Sequence, residues 1–241
     1  MEDLHMTPPD TRIRVLFILG KSSMDALCMQ ETGRAYLKEI GRRAFSVQIV
    51  QRQGIKQAYS DADLVVTDDL DLSTALAGNG FFVAGYQPDA DGGFFDGASY
   101  VIQSFEDADA EGLLNAYRRW KGIPVRIGET KRLLVRESTK EDYPTLSRIL
   151  SEVREPDAGG IRLWQSIEED QYLAYIKAAY SFWGFGLWTV TEKNSGETAG
   201  WCGLIPKTDS LSPDGRIELG YVIAEKWRRQ GFGTEACREI S

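Results

Sequence analysis

The chain has 241 residues, a length that suits two domains of roughly 100 to 130 residues each, and its 42% hydrophobic and 27% charged content sits near globular averages, which excludes a disordered or collagen-like chain. Thirty-six acidic against 28 basic side chains give a net charge of −8 with no lysine-rich run to offset it, so nucleic acid is not an expected partner. The longest apolar run near the start, Val15 to Leu19, falls far short of the roughly 20 residues that span a bilayer, so neither a membrane segment nor a signal peptide is expected.

In chain order, residues 1–12, with Pro8, Pro9 and the single histidine His5, are expected to be disordered, and His5 is given no catalytic role. Ile13 to Leu19 reads as a strand buried on both faces. Ser22 and Ser23 can cap a helix running through Ala26, Leu37 and Ile40 to a stop at Gly41, and Phe45 to Val50 returns as a strand. A second cycle follows: strand Leu64 to Thr67, helix Leu70 to Ala77, terminator Gly78-Asn79-Gly80 and strand Phe81 to Gly85. Such alternation predicts a three-layer α/β domain of Rossmann-like character with a mostly parallel sheet over residues 13–122. Gln87 to Gly97 reads as a surface loop, Tyr100 to Ile102 as a short strand and Ala108 to Trp120 as the closing helix. Lys121-Gly122-Ile123-Pro124 stops that helix, and residues 123–130 are expected to be a linker.

The second domain, 131–241, opens with strand Leu133 to Arg136. Thr139 then caps a helix, with Asp142 placed to reach back to the cap and Pro144 in the first turn. A second helix is expected from Ile167 to Ala179. Strands Gly186 to Thr191 and Thr198 to Leu204 flank the hairpin turn Lys193-Asn194-Ser195-Gly196, and a turn at Asp214-Gly215 precedes strand Ile217 to Ala224. The order is β-α-α-β-β-β-α. Cys28, Cys202 and Cys237 are odd in number, scattered and free of C-x-x-C spacing, which argues against disulfides and zinc and favours a reducing cytoplasm.

One segment carries chemistry: strand Ile217 to Ile223, then Ala224 to Trp227, then Arg228-Arg229-Gln230-Gly231-Phe232-Gly233-Thr234-Glu235-Ala236. A strand feeds a glycine-bearing turn that opens a helix. The first amides of a helix have no internal partner and point outward as anion donors, and glycines permit close approach of a ligand to the backbone. Arg228 and Arg229 add positive charge there, against the acidic balance of the chain. The pattern suits a pyrophosphate.

Arg228, Gly231 and Gly233, placed after this order of elements, resemble the acetyl-CoA-binding signature R/Q-x-x-G-x-G/A of the GNAT superfamily of N-acetyltransferases. The Glu-Leu-Gly-Tyr lead-in and the Gly-Thr-Glu-Ala continuation are similar to the branch that contains ribosomal-protein alanine acetyltransferases. The resemblance implies an α+β domain with a mixed sheet and transfer of an acetyl group from acetyl-CoA, without a metal, to a primary amine on a protein N-terminus or a small molecule. It implies that amides of Gln230, Gly231, Phe232, Gly233 and Thr234 hold the pyrophosphate while Tyr221, Val222 and Ile223 bond the pantetheine arm. An amide at Val222 or Ile223 would polarise the acetyl carbonyl, and Glu218 stands near the position of a general base in some members. The family's acid, a tyrosine on a later helix, would lie beyond Ser241, so this chain is expected to contain an incomplete domain with little or no activity. The alternative is a non-catalytic acyl-CoA-binding, regulatory or scaffolding protein.

Other constellations are weaker. Gly20-Lys21-Ser22-Ser23 is similar to the end of a P-loop, but Val15 stands where its first glycine belongs. Asp68, Asp69 and Asp71 follow a strand where open α/β sheets bind ligands, and the turn resembles a late motif of haloacid-dehalogenase-like phosphatases. The nucleophilic Asp-x-Asp after the first strand is missing there, which leaves a helix N-cap and solvated turn as the reading. Tyr180 to Phe185, with Gly184 and Gly186, reads either as core or as the wall of an acceptor pocket.

Overall fold

The computed structural model describes residues 13–44, 46–52, 61–88, 93–153, 164–206 and 217–241. The N-terminal stretch with His5, Phe45, part of the Gln87 to Gly97 loop and the expected turn at Asp214-Gly215 lie outside the described residues. The chain divides into two compact units at Ile123 and Pro124.

In the first unit, strands β1 (Arg14–Leu19), β2 (Ser46–Gln51), β3 (Leu64–Thr67), β4 (Phe82–Tyr86) and β5 (Tyr100–Ile102) form one sheet in the order β2-β1-β3-β4-β5, with every pairing parallel. Strand alternation sorts the apolar run of β1 onto two faces. Phe17 and Leu19 pack with Leu27, Tyr36 and Leu113, which belong to helices α1 (Lys21–Met29), α2 (Glu31–Arg43) and α4 (Ala110–Trp120). Leu16 and Ile18 pack instead with Leu72 and Leu76 of α3 (Leu70–Gly78). The strand order reverses between β1 and β3, and right-handed crossovers in opposite directions place their helices on opposite faces.

The single helix expected across Ala26 to Ile40 is two helices broken at Gln30, and α2 continues past Gly41 to Arg43. Close packing explains the break: a Cβ on Gly33 would stand 2.2 Å from the Ala26 carbonyl oxygen, so α2 turns back tightly against α1. Ser22 and Ser23 lie inside α1, whose N-cap is Gly20.

The second unit contains β6 (Arg126–Glu129), β7 (Leu133–Glu137), α5 (Tyr143–Ser151), α6 (Glu169–Ala178), β8 (Leu187–Glu192), β9 (Thr198–Pro206), β10 (Ile217–Ile223) and α7 (Phe232–Glu239). Its sheet runs β10-β9-β8-β7-β6. Two expectations are corrected. Residues 126–129, expected within a linker, form β6, because pairing with β7 supplies what the charged, glycine-containing Arg-Ile-Gly-Glu lacks in strand propensity. The sheet is not mixed among the described residues: all four pairings are antiparallel. Register pairs Trp201 with Val222 and Cys202 with Tyr221, so these pairs face opposite sides. Trp201 meets Trp164, which also packs on Tyr175 of α6, whereas Tyr221 lies against Gly233 at the start of α7.

The chain enters α5 through the expected capping box, with Thr139 N–H donating to Asp142 Oδ2 at 2.7 Å. Arg136 adds a two-pronged bond to the same carboxylate at 2.7 and 2.8 Å. After α6 the backbone widens into a π-helical turn, Ala179–Trp183, closed by Gly184.

Candidate active site

The end of β10, the turn that follows it and the first turn of α7 enclose a cleft of about 490 Å³ lined by Val153, Tyr221, Val222, Ile223, Trp227, Arg228, Arg229, Gly231, Phe232, Gly233 and Thr234. Of the residues singled out from the sequence, Gln230 and Glu218 do not line it. Strand alternation puts Glu218 on the same face as Gly220 and Val222, the face of Trp201, and away from Tyr221.

The turn is built by backbone conformation. Arg229 has φ of 60° and Gly231 of 81°, both in the left-handed region, and a non-glycine residue held there marks a site where the surroundings impose the shape. The first intrahelical bond runs from Glu235 N–H to the Gly231 carbonyl at 3.0 Å. Among the described residues, the N–H groups of Arg229, Gln230, Gly231, Phe232, Gly233 and Thr234 have no backbone or side-chain acceptor. A run of such donors at a helix N-terminus is an anion site.

The glycines have different tasks. Gly231 supplies the positive φ. Gly233 makes room within the protein, since a Cβ there would stand 2.6 Å from the Tyr221 ring. The arginines differ as well. Arg228 Nε donates to the Ile223 carbonyl at 2.7 Å and its Nη2 stands 4.0 Å from Glu152, so it ties the turn to the strand. Arg229 is exposed and has no ion pair among the described residues. Both arginines line the cleft, Arg228 anchored and Arg229 with no partner among the described residues. Phe232 is buried, stacked on Trp227 at 5.2 Å, so only its amide faces outward.

Val222 and Ile223 are not equivalent. Ala224 N–H donates to Ala199 O at 2.9 Å, and alternation therefore turns the Val222 amide toward β9 and the Ile223 peptide groups toward the outer edge of β10. As an oxyanion donor Val222 is excluded by this geometry, while its side chain still lines the cleft.

Sequence reasoning gave no role to Thr130, Arg132 or Glu235. Arg132 pairs with Glu235 through Nε at 2.7 Å and through Nη2, its Nη1 donates to the Gln230 carbonyl at 3.0 Å, and its guanidinium lies 4.5 Å over the Phe232 ring. Thr130 Oγ1 also donates to Glu235. These residues, with Gly231, Thr234, Arg238 and Glu239, line a second cleft of about 530 Å³. Arg132 and Glu235 are 103 positions apart, and no local pattern announces such a pair.

Tyr180 is no pocket wall. It is buried, accepts from Ser138 N–H at 2.8 Å and donates to the Leu187 carbonyl, and burial pushes its phenol far up. In the first unit, the crevice at the carboxyl ends of β1 and β3 is filled from within: both Asp68 carboxylate oxygens accept from Gly20 N–H, at 3.0 and 2.9 Å. Asp69 caps α3 through Leu72 N–H at 2.9 Å and pairs with Arg52 at 3.0 Å. No cluster of three metal-ligating side chains occurs among the described residues. No described helix is long and apolar enough to cross a membrane.

Residues 132–241 match the family model of the acetyltransferase (GNAT) domain. Among solved structures, the chain is similar to a Bordetella pertussis protein assigned to the GnaT family of acetyltransferases, with 18% identity, 45% of this chain and 64% of that one covered and a TM-score of 0.37. It is also similar to a Vibrio cholerae protein described as a ribosomal-protein-serine acetyltransferase (21% identity, 46% and 62% covered, TM-score 0.33). A third is an acetyltransferase from Agrobacterium tumefaciens (21% identity, 47% and 61% covered, TM-score 0.35). The chain thus spans less than two thirds of the length of each of these structures.

Proposed function

We propose that residues 132–241 bind acetyl-CoA and belong to an enzyme that transfers its acetyl group to a primary amine, on a protein N-terminus or a small molecule. The observation that carries this reading is the row of N–H groups from Arg229 to Thr234, without acceptors among the described residues, at the mouth of the cleft beside β10. Those amides and Arg229 would hold the diphosphate. The outward Ile223 N–H and the outward peptide groups of Tyr221 suit an arm that is itself amide-rich, laid along the strand edge. Acetyl-CoA supplies an activated thioester. The Ile223 amide would stabilise charge on the thioester oxygen, whereas Glu218, five residues back along β10 and outside the cleft, is too far from that oxygen to take the amine proton directly. The match of residues 132–241 to the acetyltransferase domain supports the same class.

The test is calorimetric titration with acetyl-CoA followed by release of free thiol in the presence of a panel of amines. Saturable binding with thiol release supports transfer. Binding without release favours the acyl-CoA-binding protein, and no binding at all removes the proposal.

A further inference from the structure

The Gln230 carbonyl and the Gly231 N–H belong to one peptide unit, and in a trans peptide these two groups point in opposite directions. Arg132 Nη1 holds the carbonyl at 3.0 Å, so the Gly231 N–H is directed away from Arg132. Glycine accepts φ of either sign, so sterics at Gly231 do not by themselves choose that direction. A flipped plane would present the carbonyl oxygen, with its partial negative charge, where an anion is to be held.

Arg132 is itself fixed on several sides. Glu235 Oε2 receives its Nε at 2.7 Å, Glu235 Oε1 receives its backbone N–H at 3.3 Å, and Phe232 lies under its guanidinium at 4.5 Å. Glu235 is further anchored by Thr130. Glu235 and Phe232 stand on α7, so the group that orients the turn is carried by the helix the turn opens.

We infer that Arg132 is a positioning residue that aims the Gly231 amide at the diphosphate, with Glu235 holding Arg132 in place. The inference rests on the acetyl-CoA reading of the cleft. It assigns Arg132 no contact with the ligand: its planar fork acts through the Gln230 carbonyl, a task that a lysine ammonium at the same position does not reproduce.

The experiment compares the full chain with Arg132→Gln, Arg132→Lys and Glu235→Gln, each checked for an unchanged circular dichroism spectrum. Two probes are titrated: acetyl-CoA, and S-acetylpantetheine, which keeps the thioester arm and lacks the phosphates. The Gly231 amide resonance is followed without ligand. Arg132→Gln should weaken acetyl-CoA about tenfold and leave S-acetylpantetheine unchanged, as expected for loss of well-aimed donors to a charged group. Arg132→Lys should weaken acetyl-CoA as well, and Glu235→Gln should do so to a smaller degree. In the unliganded protein Arg132→Gln should shift or split the Gly231 resonance. Equal acetyl-CoA affinity in wild type and Arg132→Gln, full rescue by Arg132→Lys, parallel loss of both probes or an unmoved Gly231 resonance would each overturn the inference. A wild-type chain that binds neither probe overturns the acetyl-CoA reading instead, and this inference with it.

Discussion

At the scale of single residues, Gly231 and Gly233 sit two positions apart for unrelated reasons, one set by a dihedral angle and the other by a neighbouring ring. Gly231→Ala places a Cβ in the left-handed region and should cost about 1–2 kcal/mol of stability, measured by urea unfolding. Gly233→Val should displace Tyr221 and weaken acetyl-CoA binding, and an unchanged affinity would show that the Tyr221 ring takes no part in shaping the cleft. Asp142 makes a separate point. Burial alone would raise its pKa, but the Arg136 guanidinium and the Thr139 amide outweigh that and hold it below the usual carboxylate range. A depressed folded pKa means that the stabilisation is fully present above the unfolded value of about 3.9 and is lost as pH falls through the lower, folded value. Stability should therefore decline in acid below about pH 4, and this part of the decline should vanish in Asp142→Asn. Asp142→Ala, which leaves Arg136 half-buried without its partner, should cost about 3 kcal/mol near neutrality.

At the scale of elements, the start of α1 shows a carboxylate from a distant strand bonded to a helix N-cap residue. Gly20 has no side chain to cap with, and its own N–H is taken by Asp68, just past the end of β3, while the N–H groups of Lys21, Ser22 and Ser23 have no acceptor among the described residues. A carboxylate fixed beside these donors opposes a phosphate at this turn, which is similar to a P-loop. Asp68→Ala should destabilise the first unit by about 1 kcal/mol, with amide hydrogen exchange accelerated at Gly20. At the start of α7 no carboxylate accepts from the first N–H groups among the described residues. Of two helix N-termini with similar glycine-bearing lead-ins, one thus has a carboxylate bonded to its N-cap residue and the other has none among the described residues.

On the scale of the whole molecule, each unit carries its own core. One is built on Phe17, Phe82, Leu113 and Tyr117 and the other on Val135, Ile149, Val190 and Trp201. Acetyl-CoA at a hundredfold excess over its Kd should stabilise only the unit from Pro124 to Ser241, by about 2.7 kcal/mol, which calorimetric scans would register as an upward shift of one transition. Leu113→Ala should lower the other transition, by about 3 kcal/mol, and leave acetyl-CoA affinity unchanged. The parallel first sheet, the capping box at Thr139 and Asp142, the signature turn and the order of elements apart from β6 and the break between α1 and α2 were legible in the chain, because periodicity and turn chemistry act over a few residues. Strand β6 was not legible, because an Arg-Ile-Gly-Glu stretch becomes a strand only when β7 pairs with it. The aim of the Gly231 amide, the different tasks of Arg228 and Arg229, the loss of Val222 as an oxyanion donor and the Arg132–Glu235 pair were decided only by the tertiary structure. They depend on hydrogen bonds and strand parity between residues up to 103 positions apart, where no sequence spacing specifies which atoms will meet.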